Sequence, residues 1–139
     1  MTAIDTNVAV YAIDRVDAIK RAKARALLRR LRTDPPTAVL LWQVIGEFLR
    51  YLRSRQDRGL LSRAGALRYF GVVRSMYPLA MPTPAVLDRV LDLSGRYSLS
   101  HWDSMLIGAC VEAGIDTLYT EDMGAPVTFD GIRLINPFV

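Results

Sequence analysis

The chain has 139 residues, 51% apolar and 23% charged, which suits one domain over residues 1–139 and excludes a disordered or fibrous protein. Its apolar runs, Val8–Ile13, Ala38–Trp42 and Met105–Val111, fall far short of the roughly 20 residues that span a bilayer; a single cysteine, Cys110, and a start lacking the basic-then-apolar pattern of an export segment point to a reducing cytoplasm. The net charge of +4 is split unevenly: residues 1–75 carry fifteen Lys and Arg against six Asp and Glu, and residues 76–139 carry three against eight.

In chain order, Thr2–Asp5 predicts a short strand, followed by a helix from about Asn7 to Ile13 and a longer one from about Asp17 to Arg32. Within the longer helix Ala24, Leu27, Leu28 and Leu31 recur at helical spacing. Beside them Arg21, Arg25, Arg29 and Arg32 form a ridge that faces water or a partner; sixteen of the eighteen cations are arginine, whose planar fork pairs well with phosphate, so RNA is one partner the ridge could track. Thr37–Leu41 predicts a buried strand, and Trp42, Ile45, Phe48, Leu49 and Leu52 the inner stripe of a helix stopped by Gly59. Ser62 caps a further helix with Ala66, Tyr69, Phe70 and Val73 inward. After a short strand at Leu79–Met81, Thr83-Pro84 opens a helix with Leu87, Val90 and Leu91 inward. Ser100 opens another that ends at Gly114; Ile115–Thr120 is a strand, and Ile132–Ile135 a last one at the sheet edge. Strands alternating with helices predict an α/β protein, a three-layer α/β/α sandwich around a mainly parallel sheet.

Ligands of open parallel sheets sit at the carboxyl ends of the strands, and four acids fall near such ends or at helix starts. Asp5 closes the first strand, Glu47 lies in the second turn of the helix after the second strand, Asp103 in the first turn of the helix opened by Ser100, and Asp122 just beyond Thr120. Each also has a structural reading: Asp5 as a helix cap, Asp103 as half of a capping box, Asp122 as a turn acid. Glu47 lies off the apolar stripe yet between Val44 and Tyr51, so it requires a partner, and a bound metal would serve. His101, beside Trp102 at a helix start, reads as structural or solvent-facing, and Cys110, inside its helix, as packing rather than as a nucleophile.

Four segments in this order, Asp5-Thr6-Asn7, Glu47 within Val44-Ile45-Gly46-Glu47-Phe48, Ser98 to Ser104 around Asp103, and Leu118-Tyr119-Thr120-Glu121-Asp122-Met123, together with the ending Ile135-Asn136-Pro137-Phe138, resemble the PIN-domain family and within it the VapC-type toxin ribonucleases. The resemblance implies an acidic pocket of Asp5, Glu47, Asp103 and Asp122 holding Mg²⁺ or Mn²⁺ and hydrolysing RNA phosphodiester bonds, with Asn7 and Thr120 as polar support and Glu121 as an additional acid. It further implies a small antitoxin partner and assembly as a homodimer or a toxin–antitoxin hetero-oligomer. Gly124-Ala125-Pro126 stands where related chains often carry a His-Gly pair. The chemistry agrees, since clustered carboxylates repel unless a cation separates them, and an all-oxygen donor set suits a hard dication and not zinc. Two other readings stay open: a PIN-domain nuclease of RNA processing that is not a toxin, and a non-catalytic RNA- or protein-binding module of the same fold. A phosphoryl-transfer aspartate of receiver or dehalogenase type is disfavoured, because Asp5-Thr6-Asn7 lacks a second aspartate two residues on.

Overall fold

The central strands are short runs in which neighbouring residues are buried together, as required of a sheet covered on both faces. In a computed structural model that describes residues 1–139, Ala3 and Ile4, Leu40 and Leu41, and Thr117 and Leu118 are all buried. The elements in order are β1 (Thr2–Ile4), α1 (Thr6–Ile13), α2 (Ala18–Leu31), β2 (Leu40–Leu41), α3 (Trp42–Asp57), α4 (Arg63–Met76), β3 (Leu79–Ala80), α5 (Ala85–Arg96), α6 (His101–Glu112), β4 (Thr117–Tyr119), β5 (Val127–Phe129) and β6 (Ile132–Ile135).

Strands β1-β4-β6-β5 form one ladder and β2-β3 another, joined by a parallel bridge between Thr2 and Ala38. The sheet therefore reads β3-β2-β1-β4-β6-β5, parallel throughout except for β5. From β1 the chain moves to one side through β2 and β3, then returns to β1's other side at β4. Strand order thus reverses between β1 and β4, and the crevice at their carboxyl ends is where such a sheet takes its ligand. Helix α1 packs on both α2 and α3, α3 on α4, and α5 on α6, giving the mainly parallel α/β sandwich that the sequence predicts. Gly108 permits the α5–α6 approach, since a Cβ there would lie 3.3 Å from the Val86 carbonyl oxygen.

Most expected boundaries hold within a residue or two, with Asp17, Ser62 and Ser100 each capping its helix through the side chain. The end of the chain differs. Ile132–Ile135 is not an edge strand: it lies between β4 and β5, and the edge is β5, which the sequence reading did not include. The signal for it is Asp130-Gly131, both at positive φ (51° and 84°), the two-residue turn that matches the twist of a hairpin. Helix faces also differ in part. In α5 the buried residues are Val86, Val90 and Leu93, while Leu87 and Leu91, rotated by one 100° step, are exposed, as is Leu49 of α3. Thr37–Leu41 is extended but shares its pairing, Ala38 bridging to β1 and only Leu40–Leu41 laddering with β3.

Candidate active site

The pairing of β1 with β4 places Ile4 opposite Tyr119, so the next residue on each strand, Asp5 and Thr120, emerge side by side at the crevice. The Asp5 N–H donates to the Tyr119 carbonyl at 2.9 Å, holding the two chains together just where they leave the sheet. Asp5 Oδ1 accepts from the Thr6 N–H (2.6 Å) as the cap of α1, and Oδ2 accepts from the Thr120 hydroxyl (2.8 Å). Cap and site residue are thus one residue, because the carboxylate has an oxygen for each task.

Asn7, in the first turn of α1, ties the second half of the site to the first. Its Nδ2 donates to Asp122 Oδ2 (3.1 Å), to Thr120 Oγ1 (3.2 Å) and, more weakly, to Asp5 Oδ2 (3.5 Å). Thr120 has already given its proton to Asp5 and accepts from the Asp122 N–H at 3.0 Å, so all three neighbours of Nδ2 are acceptors and the amide has one orientation. That orientation leaves Asn7 Oδ1 buried with no donor.

Glu47 arrives from α3. Its Oε2 accepts from the Thr6 hydroxyl at 2.6 Å and its Oε1 from Gln43 Nε2 at 3.1 Å, one helical turn earlier. The same Gln43 Nε2 donates to the Trp102 carbonyl at 3.3 Å, which connects Glu47 to the start of α6, one residue before Asp103. These are the partners that an off-stripe glutamate between Val44 and Tyr51 required; neither was singled out in the sequence, although Gln43 stands at the i−4 position. Asp103 is half-buried in the first turn of α6, where its N–H is capped by Ser100 Oγ at 3.2 Å, and its carboxylate makes no hydrogen bond to the other acids.

Asp5 is only 7% exposed, and burial pushes its pKa up to about 6. Hydrogen bonds from Thr120 and Thr6 work against that rise, while the nearby charges of Glu47 and Asp122 add to it. Glu121 is turned elsewhere. It accepts from Tyr11 OH (2.6 Å) and from Lys20 Nζ (2.8 Å), and Lys20 lies 4.6 Å from the Tyr11 ring centroid. Burial opposes its charge, but these bonds outweigh it and hold the Glu121 carboxyl below its ordinary range. The effect is a clamp from α1 and α2 onto the loop that carries Asp122.

The structure therefore brings Asp5, Asn7, Thr120 and Asp122 into one network, attaches Glu47 through Thr6, sets Asp103 at the neighbouring helix start, and commits Glu121 to Lys20. No three of the acids stand close enough to form a ready-made cage for a metal ion. The donor set nevertheless suits a hard dication: every candidate ligand atom is oxygen, one buried oxygen lacks a partner, and the central carboxyl carries its charge at a cost that a cation would remove. Of the arginine ridge, Arg25 Nε is spent on the Ala12 carbonyl at the end of α1 (2.7 Å), while Arg29 and Arg32 are exposed. His101 is exposed and meets the Trp102 ring edge-on at 4.7 Å. Cys110 is fully buried, which pushes its thiol pKa far above the range in which a thiolate could attack.

Solved structures of the same fold are known. A structure of the Mycobacterium tuberculosis toxin VapC20, which cleaves the sarcin–ricin loop, shares 17% identity at a TM-score of 0.68, over 96% of this chain and 99% of its own. A toxin–antitoxin complex from Klebsiella pneumoniae gives 14% identity at 0.68, over 99% and 98%. VapBC2 from Rickettsia felis, bound to a promoter DNA fragment, gives 12% at 0.69 over 96% of each chain. None of the curated proteins compared matches the sequence. These likenesses establish the fold, and the PIN-domain family model aligns with residues 2–126, a span that includes Asp5, Glu47, Asp103 and Asp122; the chain belongs to the PIN-domain family.

Proposed function

We propose that the protein is a divalent-metal-dependent endoribonuclease, the VapC-like toxin of a toxin–antitoxin pair. The observation that carries the reading is the joining of Asp5, Asp122 and Glu47, through Asn7, Thr120 and Thr6, at the strand-order reversal of a PIN-domain sheet. Asp5, Glu47, Asp103 and Asp122 are the residues that would hold Mg²⁺ or Mn²⁺. When bound, such an ion supplies charge stabilisation at the phosphoryl oxygens and the leaving alkoxide, and makes water a better nucleophile. The chain's own work is positional. Thr120 and Thr6 fix the two faces of the Asp5 carboxylate, Thr6 and Gln43 fix Glu47, and the Lys20–Glu121–Tyr11 clamp fixes the loop bearing Asp122.

A nuclease of this kind must be restrained in its own cell, and the molecule has a seat for a small protein. A cavity of about 320 Å³ opens between α1, α2 and α4, floored by Ile13, Leu28, Tyr69 and Met76 and rimmed by Arg25, Arg29, Arg32 and Arg68. An antitoxin segment with an apolar face and acidic flanks fits it, and a basic side chain beyond that segment would be drawn to the acid pocket. No helix is long and apolar enough to cross a membrane.

The test is metal-dependent cleavage of a panel of structured RNAs, joined to expression in a host. Cleavage with Mg²⁺ or Mn²⁺, its loss in chelator, and growth arrest by wild type but not by Asp5→Asn are the expected results. Equal toxicity of the two forms would show that arrest does not come from cleavage. The Asp5→Asn protein should still bind the small protein that relieves arrest.

A further inference from the structure

Beside the acid pocket lies a second, apolar feature that hydrolysis of a phosphodiester does not by itself require. A cavity of about 230 Å³ is walled by Trp42, Met81, Val86, Trp102 and Met105, with Gln43 at its edge. The chain has two tryptophans, and both are here, Trp42 52% and Trp102 62% exposed. Met81 beside them is 61% exposed, so the three make a contiguous exposed apolar patch, which is costly unless something covers it.

Gln43 and Trp102 also line the neighbouring trough that contains Glu47, Arg50, Tyr51 and Ser54. The two depressions are thus adjacent, with Gln43 and Trp102 between them, and Gln43 bonds to a residue of each, to Glu47 Oε1 and to the Trp102 carbonyl. Along α3 the separation of Gln43 from Glu47 is one turn, about 6 Å, within the span of one extended nucleotide. Trp102 is adjacent in sequence to Asp103. An occupant of the cleft is therefore held about one nucleotide from the acids, with Arg50 beyond Glu47 in reach of a further phosphate. Planar aromatic walls, a cationic group at the far end and an amide at the rim match an unpaired nucleotide, whose base stacks and whose phosphate pairs, better than a helical peptide face, which needs a longer groove.

We propose that the Trp42–Trp102 cleft is a subsite for one unstacked nucleobase of the RNA next to the bond that is cut. The bound Gln43 amide leaves its Oε1 uncommitted, an acceptor suited to a base that presents an N–H. The proposal rests on the nuclease reading for its substrate class, and binding can be measured apart from cleavage.

Because both tryptophans line the cleft, intrinsic fluorescence reports on it without background. Asp5→Asn protein in Mg²⁺ is titrated with a single-stranded hexaribonucleotide and with a hexamer of the same length whose bases are replaced by abasic riboses. The expected result is saturable quenching by the first and none by the second. Trp42→Leu and Trp102→Leu, each checked for an unchanged melting temperature, should each weaken binding by roughly 5- to 150-fold, the measured range for losing one stacking platform, and Trp102→Phe should recover most of it. Should either leucine variant melt early, the unsubstituted tryptophans are read instead: the base-bearing hexamer should protect them from acrylamide quenching, and equal exposure with and without RNA overturns the proposal. Equal binding of the abasic hexamer overturns the proposal, as does an unchanged affinity in both leucine variants. Quenching that follows protein concentration without RNA overturns it in favour of a second copy covering the cleft. Base-dependent quenching in a protein that cuts no RNA would sink the nuclease reading and leave the subsite standing; metal-dependent cleavage without base-dependent quenching would do the reverse.

Discussion

Replacing Asp5 with asparagine should make the metal-free protein more stable at pH 8 and less stable at pH 4. The site raises the Asp5 pKa from 3.8 to about 6. Since one pH unit corresponds to about 1.4 kcal/mol, carrying this charge costs the fold about 3 kcal/mol once the group is ionised. The native pKa lies above the unfolded one, so the stability linked to protonation is fully present below pH 3.8 and is lost as pH rises through about 6. Asparagine removes that charge and keeps an oxygen for the Thr6 N–H. It introduces one mismatch. Thr120 Oγ1 already accepts from Asn7 Nδ2 and from the Asp122 N–H, so its proton must point at residue 5, and it would now meet an amide N–H instead of Oδ2. A lost buried hydrogen bond of this type costs about 1–2 kcal/mol. The net expectation is a gain of about 1–2 kcal/mol at pH 8 and a loss of about the same size at pH 4. Urea unfolding in chelator at pH 4, 6 and 8, with matched denaturant slopes, measures both values. Saturating Mg²⁺ or Mn²⁺ should stabilise wild type and not the variant, because only a cation that binds the native state shifts the equilibrium. The same stability difference at pH 4 and pH 8 would refute the account of Asp5 as a buried charge awaiting a cation.

Glu47→Gln and Asp103→Asn should each abolish metal-dependent cleavage while leaving the circular dichroism spectrum unchanged; undiminished cleavage by both would remove them from the site. Thr6→Val deprives Glu47 Oε2 of its 2.6 Å donor and should lower apparent metal affinity roughly 10- to 100-fold, as loss of an outer-shell partner does elsewhere, with Thr6→Ser restoring it. Lys20→Met leaves Glu121 with Tyr11 alone, and the pair is partly exposed (32% and 22%), so the melting temperature should fall only slightly and the difference should shrink in high salt. If Arg29 and Arg32 track an RNA backbone, changing both to alanine should reduce the slope of log affinity against log salt by about 1.4, two contacts at about 0.7 each; an unchanged slope returns them to the antitoxin seat or to solvent.

Much of this molecule is legible in its residues. Asp17, Ser62 and Ser100 announce their helices because a short side-chain oxygen at a helix start satisfies amides that nothing else can, and the apolar pairs Ala3-Ile4 and Leu40-Leu41 announce strands buried on both faces. The places of the four acids are also legible, Asp5 and Asp122 just past strand ends and Asp103 and Glu47 in the first two turns of their helices, since a parallel sheet delivers all its carboxyl ends to one edge. Their division of labour is not. Glu121 and Asp122 are adjacent and chemically alike, and only the packing of α1 and α2 against the loop decides that Lys20 and Tyr11 take the first while Asn7 takes the second. The place of β6 inside the sheet, and the exposure of Leu87, Leu91 and both tryptophans, belong to the same class. Local chemistry dictates where an element starts and which side is apolar, but which neighbour covers that side depends on contacts between residues a hundred positions apart, and these exist only once the chain is folded.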